Sequence, residues 1–246
     1  MEILGALIAG TAIGAILGFV GAGGAMLTVP ILMYGFGFDP KQATTASLLI
    51  VFLAATSGAI PKMRRHQILY RDALIIWSIG LITNIGFSSR ADELPDSFIT
   101  TGFSVVLLLA GASMLRTPKF GEQKRMPVAL LVLTSLVIGA ITGLFGIGGG
   151  FLAIPILVLF FGTPQTIAAG TSLLIIALNS ATAFFGRLHM WSDVQWHIPI
   201  FMGAAAIIAT QIASHKSHSI SPVILRRGFA AFLCTIAIFT LGETWI

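Results

Sequence analysis

Charge is what this sequence has least of. Only 9% of its 246 residues are Asp, Glu, Lys or Arg, where a soluble domain carries about a quarter. The 14 basic and 9 acidic side chains cannot cover the surface of a water-soluble monomer that is 56% apolar. An ordinary cytosolic enzyme is excluded. A nucleic-acid-binding module is excluded too, despite a pI near 9.9, because the Lys and Arg residues cluster between apolar runs instead of lining a groove. Cysteine is nearly absent. Cys234 is the only one, which removes disulfide frameworks and multi-cysteine metal sites. Acidic residues are missing from the middle of every apolar run. Glu2, Asp39, Asp72, Asp193 and Glu243 fall at run ends, so an intramembrane carboxylate site for sodium or protons is not expected. His215 and His218 lack the partner ligands of a metal site. No cofactor and no metal are expected.

Apolar runs are what the sequence has in abundance. A membrane span needs about 20 apolar residues, and runs of that length occur near 3–20, 42–61, 72–90, 97–115, 127–145, 165–186, 194–213 and 223–242. Two shorter runs, near 25–37 and 150–162, follow glycine-rich breaks. The runs are apolar all round and lack the period-2 alternation of a barrel strand. The fold class expected is an all-α polytopic membrane protein, with eight long transmembrane helices and two short or broken ones. The N-terminus has no basic region and reads as a first span, not as a cleaved signal peptide. Basic segments 62–71 and 116–125 are two spans apart, so both can face the cytoplasm, with Asp92, Glu93 and Asp96 outside.

The chain repeats itself. Residues 14–37 realign on 139–162 at an offset of 125, with 13 of 24 positions identical, and 43–53 realign on 168–178 with six of 11. The expected halves are 1–120 and 121–246, a duplication common in secondary transporters. If the short segments cross the membrane, the halves are inverted and 11 of the 14 basic residues lie inside. If they are re-entrant, the halves are parallel and nine do. Charge favours inversion.

Three features point to chemistry. The first is the pair of breaks, Gly21, Gly23 and Gly24 in one half and Gly146, Gly148, Gly149 and Gly150 in the other. Neither continues into a phosphate loop or a strand–turn–helix nucleotide fingerprint. Bare backbone at membrane depth must be buried in protein or line a cavity, and its N–H groups at a helix start suit an anion. Pro30 and Pro155 would kink the following stretch. The two cradles are expected to meet near the midplane. The ladders Gly10–Gly14–Gly18 and Gly139–Gly143 read instead as helix-packing faces, which permit a homodimer without demanding one.

The second feature is a set of polar residues inside apolar runs. Thr45, Ser47, Thr171, Ser172 and Asn179 are candidate anion donors, with Ser57, Asn84 and Thr182 as further polar groups. Interhelical hydrogen bonding is the alternative role. The third is Arg187 with His189, in the region equivalent to Lys62, Arg64 and His66. These cations could gather anions or relay protons, or simply meet lipid headgroups.

The motifs GFVGAGGAMLTVPIL (18–32) and GLFGIGGGFLAIPIL (143–157), each followed by a small-and-hydroxyl run, ATTASLL or AAGTSLL, resemble the TauE/SafE-type sulfite and organosulfonate exporter family over essentially the whole chain. The resemblance implies an inner-membrane permease for small sulfur-containing anions. One departure is Ala25, which stands where the second half has Gly150. The function expected is secondary export of such anions. Proton-coupled uptake through His189 and a non-transporting membrane scaffold are the alternatives. The expected partners are the anion and the lipid bilayer.

Overall fold

The computed structural model describes residues 2–22, 24–115, 128–146, 153–154, 157, 163–216, 230–231, 234–235 and 237–242. Among these residues the chain is helical and contains no strand. The principal elements are α1 (Glu2–Val20), α2 (Gly24–Pro30), α3 (Pro40–Arg64), α4 (Tyr70–Ser88), α5 (Asp96–Leu115), α6 (Val128–Phe145), α7 (Gln165–Gly186) and α8 (His197–His215). Five of them, α1, α3, α6, α7 and α8, are long and apolar enough to cross a membrane. The helix α4 has the length, but Arg71, Asp72 and Asn84 lower its apolar character. The expected run at 223–242 falls largely outside the described residues.

Local chemistry sets several boundaries. Extended Asp39 precedes Pro40, whose fixed φ suits the first helical position of α3. His66, at a φ of 53°, takes the chain out of α3 in a left-handed turn. Pro30 ends α2, and the next turn, Ile31–Gly35, is π-helical. Widening the turn accommodates a residue that has no N–H to give and whose ring crowds the preceding turn.

Glycine and small residues then set the helix pairing. A Cβ on Gly10 would strike the Met202 carbonyl, and the same holds for Gly14 with Ala206 and Gly18 with Thr210. The helices α1 and α8 therefore touch backbone to backbone and run parallel. Gly139 meets Gly80 and Gly143 meets Asn84 in the same way, so α4 and α6 are also parallel. Both ladders are occupied within the chain, as packing faces.

These contacts define two ends of the bundle. At one end α3, α5 and α8 begin while α4, α6 and α7 finish, tied by a hydrogen bond of 2.9 Å from Gln42 Nε2 to the Asp193 carbonyl. Asp39, Glu93, Asp96 and Asp193 are here, and we call it the acidic end. At the other, α3 and α8 finish while α4 and α7 begin. Arg65 lies 3.3 Å from His215 Nδ1, and the Leu69 N–H donates to Thr171 Oγ1 at 3.0 Å. This is the basic end, with Lys62, Arg64, Arg65, Arg71 and Lys216. The short stretch 24–36 runs back beside α1, from Gly24 against Leu17 to Phe36 against Gly5.

Candidate functional site

The second glycine break begins at the acidic end. Gly146 has a φ of 68°, a left-handed conformation open to glycine, and its amide still closes the last turn of α6 on Thr142 at 3.0 Å. A Cβ here would collide with the Thr44 carbonyl and Ser47 Oγ. Ser47 Oγ lies 3.0 Å from the Gly146 carbonyl and 2.8 Å from that of Thr44. The break is thus pinned to the first turns of α3.

Beside it sits Arg187, fully buried at the end of α7. Its Nη1 donates to Thr44 Oγ1 at 2.8 Å and Thr45 Oγ1 at 3.1 Å. Its Nη2 donates to the carbonyls of Gly143 and Leu144. Those carbonyls belong to the last turn of α6, the negative end of its dipole, which favours a cation. Three helices therefore meet on one guanidinium, beside the glycine break. A lipid-headgroup role for Arg187 is ruled out by its burial. The hydroxyls of Thr44 and Thr45 accept from Arg187 and both donate to the Lys41 carbonyl.

The first break lies at the opposite end. Gly21 has a φ of 75°, and its amide bonds the Leu17 carbonyl at 2.8 Å. A Cβ on it would come within 2.5 Å of the Ala169 Cβ, at the start of α7. Gly21 and Leu17 stand 125 positions before Gly146 and Thr142, and Ala169 stands 125 after Thr44. The same joint is built twice, once at each end. Thr44 and Lys62 are 18 residues apart on α3, about 27 Å at 1.5 Å per residue. The described parts of the two breaks do not meet at the midplane.

Between the ends, Asn179 and Ser180 lie just past the middle of α7, both fully buried. Asn84 Nδ2 donates to the Asn179 backbone carbonyl at 3.0 Å and to its Oδ1 at 2.9 Å. That leaves Asn179 Nδ2, Asn84 Oδ1 and Ser180 Oγ buried with no hydrogen-bond partner among the described residues.

The other sequence candidates distribute as follows. Thr45 and Ser47 join Gly146 and Arg187. Thr171 is a tie at the basic end, donating to the Ile167 carbonyl while accepting from Leu69. Ser172 is buried in α7, and Gly24 is packed on α1. His189 is exposed, in a cleft of about 420 Å³ with Asp39, Lys41, Gln42, Asp96, Met190 and Asp193. Gly23, Gly148, Gly149, Gly150 and Pro155 lie outside the described residues. Sequence reasoning missed Thr44, Ser180 and the Asn84–Asn179 pair. Thr44 was detectable as the neighbour of Thr45 in a repeat segment. At the basic end a cleft of about 490 Å³ is lined by Arg64, Arg65, His215 and Lys216 together with Ile60, Pro61, Gln211 and Ile212.

Comparison with known proteins agrees with this architecture. The chain is 27% identical to a probable membrane transporter protein of Xylella fastidiosa (strain 9a5c), over 96% of this chain and 94% of that one. It is 28% identical to the probable membrane transporter protein YunE of Bacillus subtilis (strain 168), over 77% and 78%. A third relative, the probable membrane transporter protein MJ0441 of Methanocaldococcus jannaschii, is 32% identical over 45% and 43%. The profile described as "Sulfite exporter TauE/SafE" matches residues 6–240. With five helices fit to cross a bilayer and a match over nearly its whole length, the chain is a multi-pass membrane protein of the TauE/SafE sulfite exporter family.

Proposed function

We propose that the protein is a secondary carrier that exports small sulfur-containing oxyanions, such as sulfite or organosulfonates, across a bacterial-type inner membrane. The observation that carries this reading is the buried guanidinium of Arg187, held by Thr44 and Thr45 beside a glycine break that Ser47 pins through the Gly146 carbonyl. The anion would bind at the break that holds Gly146 and Gly148–Gly150 at one end, and at the break that holds Gly21, Gly23 and Gly24 at the other. Asn179 and Ser180 would be the polar groups it passes between them.

Inverted repeats fit this reading. The helices α1 and α6 are repeat-equivalent, yet they finish at opposite ends, as do α3 and α7. With the basic end cytoplasmic, the stretch 24–36 returns to the outer face, as a crossing requires. Each half, 1–120 and 121–246, would then make five passages, ten in all, eight long and two short. The two glycine joints become the outer and inner faces of one pathway, suited to alternating access. Export needs no coupling ion, because an interior-negative potential drives an anion out by about 2.3 kcal/mol per charge per 100 mV.

Proton-coupled uptake is a second reading, favoured by the placement of His189 in a cleft with Asp39, Asp96 and Asp193. Proteoliposome flux separates the two. Sulfite, sulfoacetate, thiosulfate, sulfate and chloride would be tested with membrane potential and pH gradient imposed separately. Flux of a sulfur oxyanion that follows potential alone is the result expected. Flux that requires a proton gradient and fails in His189→Ala would favour uptake. No flux of any of them from folded protein would end the transport reading for these substrates.

A further inference from the structure

We propose that Lys62 is the second buried cation of the pathway, the counterpart of Arg187 at the other end, and that it contacts the anion at the basic end. The inference rests on the transport reading and adds to it a residue that its sequence position alone disguises as a topological marker. Lys62 stands 125 positions before Arg187 and is only 2% exposed. Its neighbours Arg64 and Arg65 are exposed, as residues at a membrane surface should be.

Its surroundings repeat those of Arg187. The Arg187 site consists of the end of α6, the left-handed Gly146 and the start of α3. Lys62 packs on Gly170 at the start of α7, whose neighbour Ala169 meets the left-handed Gly21. A Cβ on Gly170 would lie 3.2 Å from Lys62 Cβ, which puts the lysine stem against the first turns of α7. A helix-disturbing residue precedes each cation, Pro61 in one half and Gly186 in the other.

The differences between the two sites have a chemical meaning. Thr44 and Thr45 correspond to Ala169 and Gly170, so the two hydroxyls that hold Arg187 have no counterpart at the basic end. Gly170 is required there because a side chain would strike the Gln67 carbonyl. The backbone amide of Gln67 bonds the Lys62 carbonyl at 2.9 Å, and its Oε1 is buried with no hydrogen-bond partner among the described residues. An ammonium is a compact charge with three rotatable donors, whereas guanidinium is a rigid fork. The basic-end site should therefore accept oxyanions of varied shape, and the acidic-end site should discriminate among them.

The test measures the apparent KM for labelled sulfite from each face separately, in right-side-out and inside-out vesicles. Loss of a charge-assisted hydrogen bond should raise KM about tenfold or more. Lys62→Met should show that rise when sulfite is supplied at the basic face, with little change from the other. Lys62→Arg should recover most of the affinity. Arg187→Met should show the mirror pattern. Should Lys62→Met fail to fold, Lys62→Gln carries the same expectation with a polar chain of similar reach. Unchanged KM at the basic face, or an equal rise at both faces, would overturn the assignment while leaving the transporter intact. Wild-type protein that carries no sulfite would instead overturn the transport reading, and the assignment with it.

Discussion

Asn84 and Asn179, on α4 and α7, form a one-sided pair: Asn84 gives its amide N–H groups to both oxygens of Asn179, and the Asn179 amide finds no acceptor among the described residues. In membrane proteins such interhelical bonds contribute about 0.6 kcal/mol on average and up to about 1.7. A double-mutant cycle of Asn84→Ala and Asn179→Ala, read by thermal unfolding in detergent, should give coupling in that range. Zero coupling would dismiss the pair. In transport, Asn179→Ala should raise the apparent KM further than Asn84→Ala, since only Asn179 has donors to offer an anion.

Gly146 can be tested against a built-in control. Gly146 and Gly37 have nearly equal φ, 68° and 70°, but a Cβ at 146 meets the Thr44 carbonyl and one at 37 meets nothing. Left-handed strain costs about 1–2 kcal/mol for an L-residue. Gly37→Ala should cost about that much, and Gly146→Ala distinctly more. Equal destabilisation in thermal melts would show that the joint tolerates a side chain.

Arg187 should not be replaceable by lysine. One ammonium cannot reach two hydroxyls on α3 and two carbonyls on α6 at once, and Arg-to-Lys exchanges at forked sites are not conservative. We expect Arg187→Lys to lower the melting temperature and to weaken the substrate selectivity of flux. A variant with wild-type stability and selectivity would count against the guanidinium holding three helices together.

The cleft formed by Arg64, Arg65, His215 and Lys216 is solvent-accessible, so its attraction for anions should be screened by salt, with a Debye length near 10 Å at 0.1 M. Uptake of sulfite from the basic face should slow as ionic strength rises, and Arg64→Gln with Arg65→Gln should flatten that dependence. A rate indifferent to salt in wild-type protein would remove the cleft from the pathway.

The sequence was informative wherever a property is periodic or additive. Helix positions follow from apolar length, the packing role of Gly10, Gly14 and Gly18 from their spacing, and the duplicated joint from the offset of 125. What stayed hidden depends on which residues meet across the bundle. Arg187 looks like a terminal charge because it follows an apolar run, and only the approach of α3 and α6 buries it. Asn84 and Asn179 are 95 residues apart, in different halves, and no local pattern links them. The two breaks were expected side by side. Likeness in sequence does not say at which end of the bundle a segment lies, and Gly21 and Gly146 end up at opposite ends.

The parallel contacts of α1 with α8 and of α6 with α4 bear on how the protein is made. The partner of α1 is the late helix α8, so α1 cannot finish packing until α8 is made. Met202 is synthesised 192 residues after Gly10, which at 5–20 residues per second is a delay of roughly ten to forty seconds. Through that interval the bare glycine face of α1 waits in the bilayer or beside the insertion machinery. A chain cut off before α8 would therefore leave the Gly10, Gly14 and Gly18 face of α1 without the helix it packs on.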